Sequence, residues 1–360
     1  MRVSEGIDAS PAVVVSRPMV LKGGFDPTFT NWAPDRHRTR LTGRVVMSHD
    51  DAVLGGFHLL RRTADRGALV VSAGTWLRNF IELQLLPTPL GGSIPGAHST
   101  YYGVVAAAAA GRRVVLRCND VVARLEATGT AYIATPQLSV IALGNIQLHN
   151  GSTTLDANRV CLDAPVGTPS TNDVVVSGYG SCLAGTPASV WLTNNVFEGR
   201  ATRAAAVHFS GCMAPLDVLA TNNTTLTTGA GVAGSSGSLR WSLVNNVIGR
   251  VLPGPGRAVD LGSSPTVLGR LEGNVAFGWA DAQPQPAPLV ASSNELGAAA
   301  GWAQVFVAIP AGDFRPLAGG PATRGALNVF GEAASGDVRT DLEQQPRPGA
   351  GAWVRGALLP

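Results

Sequence analysis

Along this chain the hydrophobic positions alternate with polar ones over short stretches and are then interrupted. Val13-Val-Val-Ser, Met19-Val-Leu, Leu69-Val-Val-Ser, Val114-Val-Leu-Arg, Val174-Val-Val-Ser, Val190-Trp-Leu and Val207-His-Phe are each brief, β-branched or aromatic, and bounded by Gly, Pro, Asn or Ser. That is the pattern of half-buried strands joined by turns. No dozen-residue segment carries a 3.6-residue period. The alanine run at 106–110 is too short to hold a helix alone and reads as small residues at a tight corner.

Asparagine returns ahead of these strands, at Asn79, Asn119, Asn145, Asn195, Asn223, Asn246 and Asn274, with steps of 26, 28, 23 and 28 residues (119 to 145, 195 to 223, 223 to 246, 246 to 274). A recurring period in this range marks a repeat architecture. A repeat of strands and turns without helices predicts an all-β fold, a parallel β-helix of about a dozen coils whose strands stack at ~4.8 Å. Asparagine suits a corner between strands because it tolerates the left-handed conformation and bonds nearby backbone. Stacked on the coils above and below, its amides would form a ladder. The signature lapses between 145 and 195 and stretches between 79 and 119, so these two places are where function is expected.

The paired asparagines before Val-Phe, Thr-Thr-Leu and Val-Ile resemble the turn signature of right-handed parallel β-helix (pectate-lyase-like) proteins. Leu21-Lys-Gly-Gly-Phe-Asp-Pro-Thr-Phe-Thr, followed by Thr39-Arg-Leu-Thr-Gly, resembles the first coils of large bacterial surface β-helix proteins. Asp313-Phe-Arg-Pro-Leu, Gly320-Pro-Ala and Arg347-Pro resemble their closing segment. The resemblance implies a right-handed solenoid over 1–290 and a less regular closing segment of the same domain over 291–360. Aromatics of that segment are expected to plug the open end of the apolar column. It also implies export to the surface or medium. Residues 1–6 contain no export signal, so a trimmed chain is expected.

Composition narrows the function classes. With 44 Gly, 24 Pro, 45% hydrophobic and 14% charged residues, the chain is turn-rich and too apolar for disorder. The net charge is +3 and the arginines are scattered, which argues against a nucleic-acid partner. No apolar run reaches the ~18 residues of a membrane span. Cys118, Cys161, Cys182 and Cys212 form no CxxC or Cys/His cluster, so no metal site is expected. Similar contexts at Cys161, Cys182 and Cys212 leave two readings open: a disulfide between adjacent turns, with Cys161–Cys182 as the pairing, or a column of buried thiols.

Candidate chemistry is sparse. β-Helix enzymes that cleave acidic polysaccharides combine carboxylates with an arginine on one exposed face. Here the nearest cluster is Asp156, Arg159, Asp163 and Asp173, with His208 as an outward imidazole. Tyr101, Tyr102 and His98, in what reads as a long insertion, offer flat amphipathic surface for a sugar or protein. The reading is therefore a non-catalytic secreted or cell-surface protein, an adhesion rod or a binder of glycan or protein, without a cofactor. The alternative is a polysaccharide lyase or glycoside hydrolase using the acidic residues near 156–173, with calcium entering only in that case.

Overall fold

The computed structural model describes residues 2–4, 12–63, 69–85, 100–106, 108–109, 111–125, 137–143, 151–163, 174–179, 188–200, 204–262, 266–281, 283–299, 301–332, 338–351 and 353–360. Within them helix is limited to three 3-10 turns, Trp302–Gln304, Ile309–Ala311 and Pro321–Thr323. The rest of the regular structure is strand, and from residue 2 to 299 every paired strand is parallel to its neighbours. The molecule is a parallel β-solenoid.

Each coil crosses three faces. The second face is the clearest: ten strands, Thr39–Leu41, Phe57–Thr63, Phe80–Leu85, Asp120–Leu125, Arg159–Asp163, Val196–Arg200, Thr224–Thr227, Val247–Arg257, Val275–Asp281 and Glu295–Ala299, stack in chain order. That is close to the dozen coils expected. The first face runs through Val20–Phe25, Arg113–Arg117, Ser152–Asp156, Ala188–Thr193, Val267–Glu272 and Val290–Ser292. The third includes Val13–Val15, Thr100–Ala106, Gln137–Leu143 and Val174–Tyr179. The long strands Ala205–Thr221 and Val232–Val244 bend across the third and first faces and join them into one sheet. The regular coils continue to residue 299, past the boundary expected at 290.

Period-two alternation places one residue in two inside, and the parallel register stacks like positions on like. Leu59, Ile81, Val121, Val160, Phe197, Thr225, Ile248 and Ala276 form one such inward column. All eight are buried. Burying each large apolar member is worth roughly 1.5–3 kcal/mol, and dozens of them make one continuous core.

The corner between first and second faces takes two residues. The first adopts the left-handed region: Arg78, Cys118, Ala157, Asn194, Asn222, Asn245 and Ser293 have φ between 53° and 56°. The ladder asparagine follows it, so the left-handed position and the ladder position are neighbours rather than one residue. Asn79, Asn119, Asn158, Asn195, Asn223, Asn246, Asn274 and Asn294 form the ladder. In each step the Oδ1 of one asparagine accepts from both the backbone N–H and Nδ2 of the asparagine before it, at 2.9–3.1 Å. Nδ2 also donates to a carbonyl of the preceding coil, as Asn119 does to Trp76 and Asn158 to Leu116. These amides are thereby saturated away from water, which a corner buried this deeply requires.

Asn145, expected as a rung, lies outside the described residues, and the ladder passes from Asn119 directly to Asn158 and on to Asn195. The lapse expected between 145 and 195 is one wide coil carrying an ordinary rung. The stretch between 79 and 119 is likewise a full coil, with its own third-face strand at Thr100–Ala106 pairing with Leu69–Leu77 and Gln137–Leu143.

Beyond residue 299 the chain does not plug the end of the column. It folds back along the outside of the second face as a strap. Val305, Phe306, Ile309 and Phe314 pack on Val196, Leu226, Val247, Val275 and Phe277. Val196, Val247 and Val275 continue the outward column in which the early coils carry His58, Asp120 and Arg159, and Leu226 and Phe277 continue the outward column of Glu82; apolar here, these positions need covering. Hydrogen bonds pin the strap to the corner: Leu327 N–H to Asn245 Oδ1, Gly356 N–H to the Asn245 carbonyl and Ala357 N–H to Thr224 Oγ1, at 2.7–3.0 Å. Buried Arg347 and Arg355 complete the attachment. Arg347 donates to the Gly356 carbonyl at 2.8 Å, and Arg355 to Glu295 at 3.0 Å and the Ser293 carbonyl at 2.7 Å.

Candidate groove on the second face

Where the outward column of the second face turns polar, the strap no longer seals it. Two cavities lie there, of about 370 and 310 Å³. The strap residues Leu342 and Glu343 line both, so the cavities form a groove in line with the coil axis. The loop at 34–38 closes its far side through Pro34, Asp35 and Arg38.

His58, Phe80, Asp120 and Arg159 occupy one outward column on four successive coils. The His58 ring sits 4.9 Å from that of Phe80, and the Arg38 guanidinium lies over the other ring at 5.4 Å. His58 is only 6% exposed. Its Nε2 is 3.4 Å from Glu82 Oε2, off the line of a hydrogen bond, and has no other partner. Burial holds the imidazole below its ordinary range. Glu82 opposes this, and Arg40 and Arg38 reinforce it. Glu82 is itself held by Arg124 at 2.8 Å. Burial pushes the Asp120 carboxyl up, against the pull of Arg159. Among the groove residues, Arg38, Arg78, Arg159 and Arg315 stand against Asp35, Asp120, Asp313 and Glu343. The groove is thus formally neutral while rich in donors and acceptors.

Elsewhere on the rod, arginines and carboxylates pair. Arg112–Asp50, Arg124–Glu82, Arg117–Asp156, Arg240–Asp217 and Arg257–Asp281 bridge different coils at 2.6–3.1 Å. Four of the five join neighbouring coils and Arg112 reaches across two, a task suited to the planar fork of arginine. Arg38 and Arg78 are different. Their guanidinium groups lie over Phe80 and Trp32.

Among the described members of the acidic cluster expected near 156–173, Asp156 lies apart from Arg159 and Asp163. Asp156 is buried at the end of a first-face strand, 3.1 Å from Arg117, with Asn194 Nδ2 donating to it at 3.4 Å. Arg159 and Asp163 lie around the corner on the second face, at opposite ends of one strand. Arg159 stacks over Phe314 at 5.3 Å, and Asp163 is in register between Arg124 and Arg200. Asp173 lies outside the described residues. His208 is on the third face, half-buried rather than exposed, and burial lowers its pKa.

Tyr101 and Tyr102 belong to a third-face strand rather than a loop, in register with Leu138 and Ser139. His98 lies outside the described residues. Cys161 carries a free thiol, which burial, with help from Glu198, pushes up to about 12; Cys182 lies outside the described residues. Among the described residues no group of three His, Cys, Asp or Glu gathers as a metal site, and no helix is long and apolar enough to cross a membrane. His58, Phe80, Glu82 and Asp120 had no local motif to mark them. Their shared signal was position, the first or third residue after a corner.

No family model, curated protein or solved structure matches this chain.

Proposed function

We propose that this protein is a non-catalytic β-helix scaffold of the secreted or cell-surface type, resembling the pectate-lyase-like proteins, that binds a glycan along the groove between its second face and the strap. The observation that carries this reading is the pair of in-line cavities, mixed in charge and walled partly by aromatic rings. An extended polyhydroxylated chain suits such a surface because it donates, accepts and offers apolar C–H faces at once. Of the carboxylates that would have served a lyase or hydrolase, Asp156 and Asp163 lie on different faces, and Asp156 is occupied by Arg117. Hence the binding reading stands ahead of the catalytic one.

Its test is binding of the purified chain to an array of neutral and acidic polysaccharides, run beside a reducing-end assay on the same panel. Retention without release of new ends is the expected result. Turnover that disappears when Asp156, Asp163 and Asp173 are changed to Ala would sink the non-enzyme reading. Retention that survives Arg38→Glu together with Phe80→Ala would remove the ligand from the groove.

A further inference from the structure

We propose that the cavity beside His58 is a subsite for a single uncharged sugar ring, an inference that rests on the glycan-groove reading above. Three separate parts of the chain converge on it: the loop at 34–38, the early coils of the second face, and the strap at 342–344. Its volume of about 370 Å³ falls at the lower end of small-molecule sites, which run from about 300 to 1,000 Å³.

The walls specify the chemistry of the occupant. Phe57 and Phe80 form an apolar side, suited to the C–H face of a pyranose. His58 is buried and lines the cavity, and its Nε2 has only a long contact, 3.4 Å, to Glu82 Oε2. A buried polar atom of that kind is the exception in folded proteins and is satisfied when a ligand hydroxyl reaches the ring. Arg38 and Arg78 rest on aromatic rings, so their outer N–H groups are not committed to a carboxylate. Against them stand Asp35, Asp120 and Glu343 as acceptors.

The balance of charge selects against an ion. An anionic ring facing Asp120 and Glu343, or a cationic one facing Arg38 and Arg78, would set like charges together in a partly desolvated space. A neutral ring with several hydroxyls pairs with both sets and adds no charge. The site therefore takes a neutral hexose or N-acetylhexosamine unit in preference to a uronate or an amino sugar.

The experiment is a titration of the full chain, with labelled histidine, by methyl glycosides of glucose, galactose, mannose and N-acetylglucosamine. Glucuronate and glucosamine serve as charged comparators. The readout is the His58 ring resonances, assigned by their absence in His58→Gln. At least one neutral glycoside is expected to shift them saturably, with affinity about tenfold or more weaker in Phe80→Ala and unchanged in Arg240→Gln, whose ion pair lies on another face. Arg38→Gln, at an exposed position, replaces Phe80→Ala if that variant fails to fold. Tighter binding of glucuronate or glucosamine than of every neutral sugar overturns the ligand class. Absence of any saturable shift overturns the subsite, and polysaccharide retention persisting in that case would leave the groove reading standing.

Discussion

Asn119 hands both its backbone N–H and its side-chain Nδ2 to the Oδ1 of Asn158, each at 3.0 Å. The two residues are 39 apart in sequence and one coil apart in space. That contact sits between steps of 40 and 37 residues, and the ladder then runs on without a break into steps of 28 and 23. The structural period is therefore the strand spacing and not the residue count. Loops of different length can be inserted in a coil so long as the corner returns an asparagine to its rung.

Truncating a rung should be costly. Asn158→Ala leaves two donors of Asn119 and the Leu116 carbonyl unpaired in a dry corner, at about 1–3 kcal/mol each, for a loss of about 3–5 kcal/mol after partial relaxation. Asn31→Ala, at an exposed loop position off the ladder, should change stability by no more than about 0.5 kcal/mol. Urea melts of the two variants check this, and equal losses would refute the direct step from Asn119 to Asn158.

Two adjacent threonines should respond in opposite directions. Thr225 points inward, and its hydroxyl is buried with no partner, in a column between Phe197 and Ile248. Thr225→Val replaces that hydroxyl with a methyl of similar shape and should stabilise by about 1 kcal/mol. Thr224 points outward and its Oγ1 accepts from Ala357 N–H at 3.0 Å. Thr224→Val should therefore cost about 1 kcal/mol and loosen the strap. Thermal melts with a shift of the same sign for both would contradict this assignment of faces.

The solenoid was legible because its signals are local: alternation for each strand and an amide for each corner. The residue after the asparagine does not identify a rung of the ladder. That residue points outward, so it is Arg159 after Asn158 and Glu295 after Asn294, and nothing in core packing requires it to be apolar. Asn145-Ile-Gln-Leu offers a better apolar match than Asn158-Arg-Val-Cys, which carries the rung. The strap has a signal in the sequence as well. Val275-Ala-Phe is apolar at inward and outward positions alike, as expected of a strand covered on both sides, whereas Asp120-Val-Val-Ala begins with a charge. The groove itself was not legible, because His58, Phe80 and Asp120 become neighbours only through the register, and the chain that walls them returns from the far end.

The strap should detach as a unit when its buried arginine is removed. Arg347 is 4% exposed and stacks on Trp353 at 5.7 Å. It donates to the Gly356 and Val354 carbonyls and, at 3.4 Å, to Asn194 Oδ1. Burial pulls its pKa down to about 10, so the side chain stays charged at neutral pH. Arg347→Met forfeits these charge-assisted bonds and should weaken the strap by about 2 kcal/mol, the desolvation penalty that is also removed offsetting part of the loss. Hydrogen exchange should then speed up in 338–360 by about tenfold or more, while the inward columns of the solenoid keep their protection. An apolar dye should bind at the uncovered Val196, Val247 and Val275. Acceleration spread evenly over the whole chain would mean that the strap is part of the solenoid's own cooperative unit.

Mild acid should destabilise the protein through its buried histidines. Burial holds both His58 and His208 below the ordinary histidine value. The unfolded chain therefore binds more protons than the native one just below about pH 6.5. With that sign, the contribution of each group is fully present above about pH 6.5 and is lost as pH falls through its lowered native pKa. Glu82 tempers the effect at His58 without reversing it, since desolvation is the larger influence there. His58→Gln should flatten the fall in urea midpoint between about pH 7.5 and 5, and the slope that remains should diminish further on adding His208→Gln. Parallel pH profiles for the wild type and His58→Gln would mean that the imidazole is solvated as a cation in the folded groove, and that the cavity beside it is wetter than its burial implies.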